Sequence, residues 1–310
     1  MRKLSLTLTA LLALIISTIS YSMELKEFYK NMYMVRGVDA MPSPENKGFM
    51  SNAYGILTKE GWIVIDSLST PELSKEFLTL LQKEKKTPVK YLIITHYHPD
   101  HWYGASTFKE AGAVVIAHKN LNKFYNSPEA KMTLEASNQR FGGIYKNVKL
   151  IPADIEIESQ KDLKVGQYEI SIIPTNPAHT DNDIVIFVKN ENILFAGDLV
   201  YLNRIPFAGD RGSSVKNWLK VLKDLEKLNP KIILGGHNEP MDKKAIEFTY
   251  NYLSYTRDTV KKLKDEGKGL DEIKAYINQS SPYKNYVMYD VFNDANVYKI
   301  FNDLDLEDFQ

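Results

Sequence analysis

The chain alternates short apolar runs with polar segments, and the spacing of apolar residues within each run predicts its secondary structure. Continuous or alternating apolar positions bounded by turn residues predict β-strands. One such segment, AYGILTKEGWIVIDS at 53–67, predicts a hairpin whose turn is TKEG. The other predicted strand segments are MYMVRGV at 32–38, YLIIT at 91–95, AVVIAH at 113–118, LKVGQYEISIIP at 163–174, DIVIFVKNENILFAGD at 183–198 and KIILGG at 231–236.

Apolar residues three and four positions apart predict helices between these strands. The segment 71–86 starts near Pro71, and WYGASTFKEAG at 102–112 predicts a helix closed by Gly112. Residues 119–141 predict a polar helical insertion, and 214–230 an amphipathic helix. Strands and helices in this mixed order indicate an α/β (α+β) domain built in layers.

Helical spacing takes over completely from Asp242 onward. A long helix over 242–266 is followed by the helix stops Gly267 and Gly269. Two shorter helices are predicted over 270–277 and 293–304. We therefore expect a C-terminal helical extension at 242–310.

The first 22 residues have the pattern of a secretory signal peptide. Arg2 and Lys3 precede an apolar stretch over 4–19, and Ser20 and Ser22 offer small residues for cleavage after Ser22. An uncleaved N-terminal anchor is the alternative, which the Ser and Thr residues within the stretch disfavour. We predict a signal peptide at 1–22, a main domain at 23–241, and a periplasmic or secreted protein with no membrane span after cleavage.

Composition narrows the classes of partner and of metal ligand. The chain has 39 basic and 39 acidic residues, so losing Arg2 and Lys3 leaves 37 against 39, a net charge of −2. This balance argues against a nucleic-acid partner. The partner that we expect is a small-molecule substrate. The chain has no Cys, so any metal must be held by His, Asp and Glu.

The densest chemistry lies in THYHPDH at 95–101, directly after an apolar strand. It contains three of the six histidines of the chain, His96, His98 and His101, together with Asp100. His96 and His98 are two residues apart and point the same way in extended backbone, whereas Pro99 turns the chain before Asp100 and His101. A loop of solvated histidines is the alternative, but this density after a buried strand favours a wall of a metal site that serves two neighbouring cations.

Three more residues of ligand type follow later apolar segments. His179 lies in NPAHTDND, Asp198 ends ILFAGD, and His237 ends KIILGGH. Open α/β architectures collect their sites at such strand ends, so we expect these side chains to meet the 96–101 cluster. The sixth histidine, His118, has no ligand-spaced neighbour, which favours a structural or outer-shell role.

The set His96-x-His98-x-Asp100-His101, His179, Asp198 and His237 resembles the metallo-β-lactamase superfamily over about residues 30–240. The resemblance implies a four-layer αββα sandwich with a site at one edge of its two sheets. It implies that His96, His98 and His179 hold one metal, that Asp100, His101 and His237 hold the other, and that Asp198 bridges them. Asp66 matches an acid of the family that acts from the outer shell or in the fold, and a simple strand-end cap is its alternative.

Nitrogen and oxygen ligation at two adjacent sites suits two Zn²⁺ per chain, with iron or manganese as alternatives. A metal lowers the pKa of bound water to about 7, so a bridging hydroxide is expected to attack an ester, thioester, lactam or sulfate-type bond. Asp100 is the expected catalytic residue, orienting the hydroxide and carrying a proton to the leaving group.

Family branches differ at single positions of this motif. His98 favours hydrolysis, because diiron electron-transfer members carry Glu there. One lactamase subclass carries Cys in place of Asp198, yet HTDND resembles the HTxDN stretch of lactamases. Glyoxalase-II thioesterases share the Asp but show DHxGG where this chain has DHWYG. The narrowest resemblance is to exported hydrolases associated with sulfur oxidation and quinoprotein relay systems, on THYHPDH, PAHTDND, FAGDLVYLNRIPF and NDANVYKIFNDLDLE.

Three other functions stay open on the sequence: a sulfur or persulfide dioxygenase with one iron, a β-lactamase, and a non-catalytic metal-binding protein. The substrate and the oligomeric state are undetermined. Pocket-lining candidates are the residues that flank the ligands, Tyr97, Trp102, Tyr103, Tyr201 and Arg204, for whose aromatic members packing is the expected role. The 119–141 insertion and the C-terminal helices are expected to wall the cleft.

Overall fold

The computed structural model describes residues 22–307, so the signal peptide predicted at 1–22 lies outside the described residues except for Ser22. The strands are β1 Lys26–Tyr29, β2 Met32–Val35, β3 Ala53–Thr58, β4 Gly61–Ile65, β5 Val89–Ile93, β6 Val114–His118, β7 Ile155–Ile157, β8 Lys161–Val165, β9 Tyr168–Pro174, β10 Ile184–Val188, β11 Ile193–Gly197 and β12 Ile232–Gly235. The helices are α1 Pro71–Glu84, α2 Pro99–Trp102, α3 Ala105–Glu110, α4 Lys119–Tyr125, α5 Pro128–Arg140, α6 Val215–Lys227, α7 Lys244–Asp265, α8 Leu270–Ser280 and α9 Tyr289–Glu307.

The strands form two sheets. The first has seven strands in chain order, β1 to β7, and the second has five in the order β12-β11-β10-β9-β8. β4, β5 and β6 pair in parallel, as do β11 and β12. The carboxyl ends of β4 and β5 in one sheet, and of β9, β11 and β12 in the other, therefore lie where an α/β fold builds its site.

Three hydrophobic clusters separate four layers, which explains why many strands read as continuous apolar runs. In β4, Trp62 and Val64 pack toward α1 and α3, whereas Ile63 and Ile65 face the second sheet. In β11, Leu194 packs toward α6 and α7 on the opposite side of the molecule. Because successive side chains alternate between faces, a strand covered on both faces needs apolar residues at every position. The αββα arrangement predicted from the resemblance is confirmed.

The helix predicted over 102–112 is wrong in detail, because helical backbone begins three residues earlier, at Pro99, and is interrupted. Pro99 begins the short helix α2, which already contains Asp100 and His101, because proline is well suited to the first turn of a helix. The chain then breaks at Gly104, where a Cβ would lie 2.1 Å from the Ser67 carbonyl oxygen, and α3 follows. Only glycine allows this close approach to the segment that leads into α1.

The C-terminal residues form three helices, as predicted. α7 packs against α6, and α8 and α9 pack against α7. Val260, Ile273 and Val297 from the three helices join one hydrophobic cluster with the outer face of the second sheet. Within residues 22–307, no helix is both long enough and apolar enough to cross a bilayer. The domain boundary between 241 and 242 stays a prediction.

Candidate metal centre

The structure brings all seven residues of the sequence motif together at one edge of the two sheets. His96 and His98 follow β5, and Asp100 and His101 lie in α2. His179 lies in the loop between β9 and β10, Asp198 follows β11, and His237 follows β12. All seven except His98, which is half-buried, are buried.

The side chains fall into three overlapping groups whose ligand-type atoms lie within 4.8 Å of one another. These groups are His96, His98 and His179; His96, His101 and Asp198; and Asp100, His101 and His237. Asp198 connects the first and last groups, since its carboxylate oxygens lie 3.6 Å from His179 Nε2 and 3.3 Å from His237 Nε2. This arrangement agrees with the two-metal pattern that the resemblance implies.

In each of the five histidines, one ring nitrogen points into the group of ligand-type atoms. The other ring nitrogen contacts a hydrogen-bond partner outside the group. The outer contacts are His96 Nδ1 to Thr95 Oγ1 at 3.0 Å, His98 Nε2 to Asp210 Oδ2 at 3.1 Å, His101 Nδ1 to Asp66 Oδ2 at 2.8 Å, His179 Nδ1 to the Phe207 carbonyl at 2.8 Å, and His237 Nδ1 to the Met50 carbonyl at 2.8 Å. Metal-binding histidines are held in this way, because an outer acceptor fixes the tautomer and leaves the inner lone pair free.

The inner atoms fit divalent cations. His96 Nε2, His101 Nε2 and Asp198 Oδ1 are buried and have no hydrogen-bond partner among the described residues. An unpaired buried polar atom costs about 1–3 kcal/mol, which a cation at this point would offset. His98 Nδ1 and His179 Nε2 face each other at 2.9 Å, so the inner nitrogens of these two rings converge on one point of the site.

The pKa shifts of His96 and His179 are opposite in direction to that of His101. Burial lowers the pKa of His179 to about 4 and that of His96 well below its usual value, so both rings are neutral at pH 7. Burial also opposes charge on His101, but Asp100, Asp198 and Asp66 outweigh it and raise the pKa of that ring well above its usual value. The carboxylates around His101 make this part of the site strongly attractive to cations.

Gly236 leaves space for the side chains of Asp198 and His101. A Cβ at this position would lie 2.0 Å from Asp198 Oδ1 and 2.5 Å from His101 Cε1. Both distances are shorter than side-chain contacts allow, so only glycine lets the end of β12 pass this close to the ligand-type atoms.

Asp66 holds the base of the site, which makes it more than a strand-end cap. Its carboxylate accepts hydrogen bonds from the Thr95 backbone N–H at 2.7 Å and the Thr95 hydroxyl at 2.9 Å, in addition to His101 Nδ1. Asp66 adopts a left-handed backbone conformation with φ of 61°. Such a conformation is costly for a residue other than glycine, and it is found where a side chain must be aimed at a functional site.

Asp210 was missed by the sequence reasoning. Its Oδ2 receives His98 Nε2, while its Oδ1 accepts from the Tyr97 hydroxyl at 2.7 Å and from the Gly212 N–H at 2.7 Å. Burial alone would raise the pKa of Asp210, but His98 and Tyr97 lower it to about 2. A signal existed, because Phe-Ala-Gly-Asp occurs twice, at 195–198 and at 207–210, and both copies end in an aspartate of the site.

The other flanking residues separate into pocket and packing roles. Tyr201 stacks on His237 with ring centroids 6.1 Å apart, and Arg204 also lines the cavity in front of the group. Trp102 donates to the Ile151 carbonyl, and Tyr103 packs on Tyr145, so both have structural roles. The ring of Tyr97 stacks on Phe124, and His118 caps α4 through the Asn120 N–H, a structural role as predicted.

The cavity has a volume of about 510 Å³ and three walls. One comes from the segment before β3, one from α5 and the residues after it, and one from α9. Their larger apolar members are Met41, Met50, Phe141, Tyr145, Val291 and Phe292. The predicted wall roles of the 119–141 insertion and of the C-terminal helices agree with this lining.

Comparison with known proteins gives a consistent likeness. Residues 46–237 match the family model described as Metallo-beta-lactamase superfamily. A metallo-beta-lactamase type 2 of Elizabethkingia meningoseptica is 24% identical over 66% of this chain and 76% of its own length. The type 2 enzyme of Bacillus cereus is 26% identical over 66% of this chain and 73% of its own length.

Solved structures share the fold. A metallo-beta-lactamase from Pontibacter korlensis aligns with a TM-score of 0.59 and 19% identity, over 75% of this chain and 99% of its own. The inverting sec-alkylsulfatase Pisa1 from a Pseudomonas species aligns with a TM-score of 0.73 and 18% identity. That match covers 90% of this chain and half of the sulfatase chain. The residues of this chain that the match leaves out are fewer than those in α7, α8 and α9 together, so the similarity of fold extends into the C-terminal helices.

Proposed function

The chain belongs to the metallo-beta-lactamase superfamily, and from this premise we propose that it is an exported hydrolase that uses two zinc ions. Its relatives in this superfamily are metal-dependent hydrolases. The substrate is a small molecule with an ester, thioester, lactam or sulfate-type bond. The observation that carries the proposal is the convergence of seven ligand-type side chains. Three of their buried inner atoms have no hydrogen-bond partner among the described residues, and the five histidine rings are each fixed from outside.

The ligands divide between two cation positions as the family resemblance implies. His96, His98 and His179 would hold one cation, Asp100, His101 and His237 would hold the other, and Asp198 lies beside both sets. Two divalent cations held here supply an activated water and positive charge for an oxyanion that develops during hydrolysis.

Asp100 is the residue of the site best placed to move a proton. Its Oδ2 lies 3.3 Å from His101 Nε2 and 3.5 Å from His237 Nε2, and its side chain borders the cavity. Burial alone would raise the pKa of Asp100, but His101 and His237 keep it below its usual value, so the side chain is ionised at neutral pH and its oxygens can accept a hydrogen bond from a water molecule. It orients the attacking water and then passes a proton to the leaving group.

The cavity favours a substrate with an apolar body and an anionic group. The buried Arg204 pairs with Asp39 at 3.1 Å through Nη1, while its buried Nε has no partner among the described residues. Apolar side chains of α9 and of the segment before β3 surround it. Because Arg204 borders the cavity, its positive charge would favour a carboxylate or sulfate group on the substrate, and the apolar walls would take the rest of the molecule.

Metal analysis of the mature protein, coupled to a panel of esters, thioesters, lactams and sulfate esters, tests the proposal. We expect two zinc ions per chain, turnover on at least one class, and loss of turnover on chelation. One iron per chain with oxygen consumption on a persulfide would instead establish the dioxygenase. Two bound metals without turnover on the whole panel would establish a metal-binding protein.

Two variants assign the roles within the site. His98→Ala lowers metal content and abolishes turnover, because it removes a ligand of the first cation. Asp100→Asn lowers turnover more than it lowers loading at the His96 position, because that position has no contribution from Asp100. Full activity of His98→Ala would contradict the scheme.

Lactam hydrolysis is the substrate class with independent support. Both relatives compared above are named as metallo-beta-lactamases, and the segment HTDND contains His179 in a fixed turn. In that turn Asp183 accepts from the Thr180 N–H at 2.8 Å and from the Thr180 hydroxyl at 2.7 Å. Turnover of a chromogenic cephalosporin would place the chain among the lactamases, and its absence would leave the other bond classes.

A further inference from the structure

One residue of the C-terminal extension makes hydrogen bonds to the backbone beside the metal centre. Asn296, in α9, is completely buried. Its Oδ1 accepts from the Ala208 N–H at 2.7 Å, and its Nδ2 donates to the Pro206 carbonyl at 2.8 Å. Nδ2 also lies 2.9 Å from the hydroxyl of Tyr252 in α7, which holds the amide in place. The side-chain amide thus makes the two hydrogen bonds that a neighbouring β-strand would make with residues 206–208.

The segment 206–210, to which Asn296 is bonded, supplies the outer contacts of two histidines. Phe207, between the two bonded residues, offers its carbonyl to His179 Nδ1 at 2.8 Å. Two residues beyond Ala208, the carboxylate of Asp210 receives His98 Nε2 at 3.1 Å. A shift of this segment would therefore disturb the orientation of both rings.

The other histidines do not depend on this segment. His237 is held by the Met50 carbonyl, His101 by Asp66, and His96 by Thr95. Those partners come from the segment before β3, from the end of β4 and from the end of β5. A change in α9 is therefore expected to act on one of the two cation positions and to spare the other.

We propose that Asn296 is a positioning residue for the metal centre, which fixes His98 and His179 through the segment 206–210. This inference rests on the metal site of the proposed function. It assigns to the C-terminal extension, which lies outside the family match at 46–237, a part in building one cation position. The sequence segment NDANVYKIFNDL then has a role besides packing.

The test is Asn296→Asp in the full chain, with Asn293→Asp as its matched control. The carboxylate introduced by Asn296→Asp would still accept from the Ala208 N–H, but it would have no proton for the Pro206 carbonyl and would repel it. Asn293 is buried on the same helix, accepts from the Tyr252 hydroxyl at 3.1 Å and donates to Asn278 at 2.8 Å, without contact to residues 206–210. Both variants make the same chemical change in α9.

The first readout is ¹⁵N NMR of the histidine side chains in metal-free protein. We expect the wild-type chain and Asn293→Asp to show His179 protonated at Nδ1 and His98 at Nε2. In Asn296→Asp both signals shift or broaden, whereas His237 keeps its Nδ1 proton as an internal reference. The second readout is zinc affinity by chelator competition, where we expect one of two dissociation constants to rise about tenfold, as for loss of an outer contact.

Unchanged His98 and His179 signals in Asn296→Asp would overturn the proposal, as would an equal change at His237 or an equal effect of Asn293→Asp. Should Asn296→Asp fail to fold, Asn296→Gln keeps the amide but displaces it by one methylene, and the same comparisons decide. If the wild-type chain takes up no zinc, the proposed function fails, and the NMR comparison still decides whether Asn296 positions the two rings.

Discussion

Replacing Asp210 with Asn should turn His98 into the wrong tautomer without changing the shape of the site. In the wild-type chain Oδ1 of Asp210 accepts from two donors, the Tyr97 hydroxyl at 2.7 Å and the Gly212 N–H at 2.7 Å. In the variant the amide oxygen must stay in that place, because the NH₂ group cannot accept either bond. The NH₂ group then faces His98 Nε2.

A donor at this point forces His98 Nε2 to act as an acceptor, so the ring proton moves to Nδ1. That nitrogen is the one facing His179 Nε2 at 2.9 Å, and once protonated it has no lone pair for a metal. Loss of an outer-shell partner lowers metal affinity or activity by about 10–100-fold. This range corresponds to about 1.4–2.8 kcal/mol of binding free energy.

The assay is zinc affinity by chelator competition, with turnover measured at saturating zinc. We expect weaker zinc binding at one of two positions and an unchanged fold by circular dichroism. Asp162→Asn is the control, because it removes the same charge on β8, where Asp162 contacts Ser171 and Lys189. Zinc binding by Asp210→Asn as tight as in that control would refute the tautomer argument.

Two further variants probe the ligand group and the cavity in front of it. Gly236→Ala should cost the chain at least one zinc ion by elemental analysis, because the added Cβ would occupy space within 2.0 Å of Asp198 Oδ1. Gly269→Ala, whose nearest neighbour would lie at 3.8 Å, should keep both ions. Arg204→Gln should raise KM about tenfold or more for anionic substrates and leave neutral esters unaffected, since it removes a charged donor. An equal rise for both substrate types would show that Arg204 only supports the fold.

Local pattern predicted ten of the twelve described strands, all but β1 and β7, most of the helices and the seven ligand-type residues. A strand buried on both faces must be apolar throughout, so YLIIT, ILFAG and KIILGG were recognisable without knowledge of their neighbours. The polar residue that ends each run stands out against it, which is why His96, Asp198 and His237 could be named. The same reasoning predicted that they meet, because strand ends share one edge of a sheet.

Only the tertiary structure decided which atoms hold those residues. Asp210 and the Phe207 carbonyl fix His98 and His179 across more than 25 residues of chain, and no local pattern encodes a contact of that range. The break at Gly104 likewise depends on how closely the chain passes Ser67. The sequence around Asn296 predicts only a short helix, and the burial of its side chain against Ala208 follows from the packing of α9 on α7. Sequence specified the chemistry of the site, whereas ring orientation and cavity shape arise from packing between segments far apart in the chain.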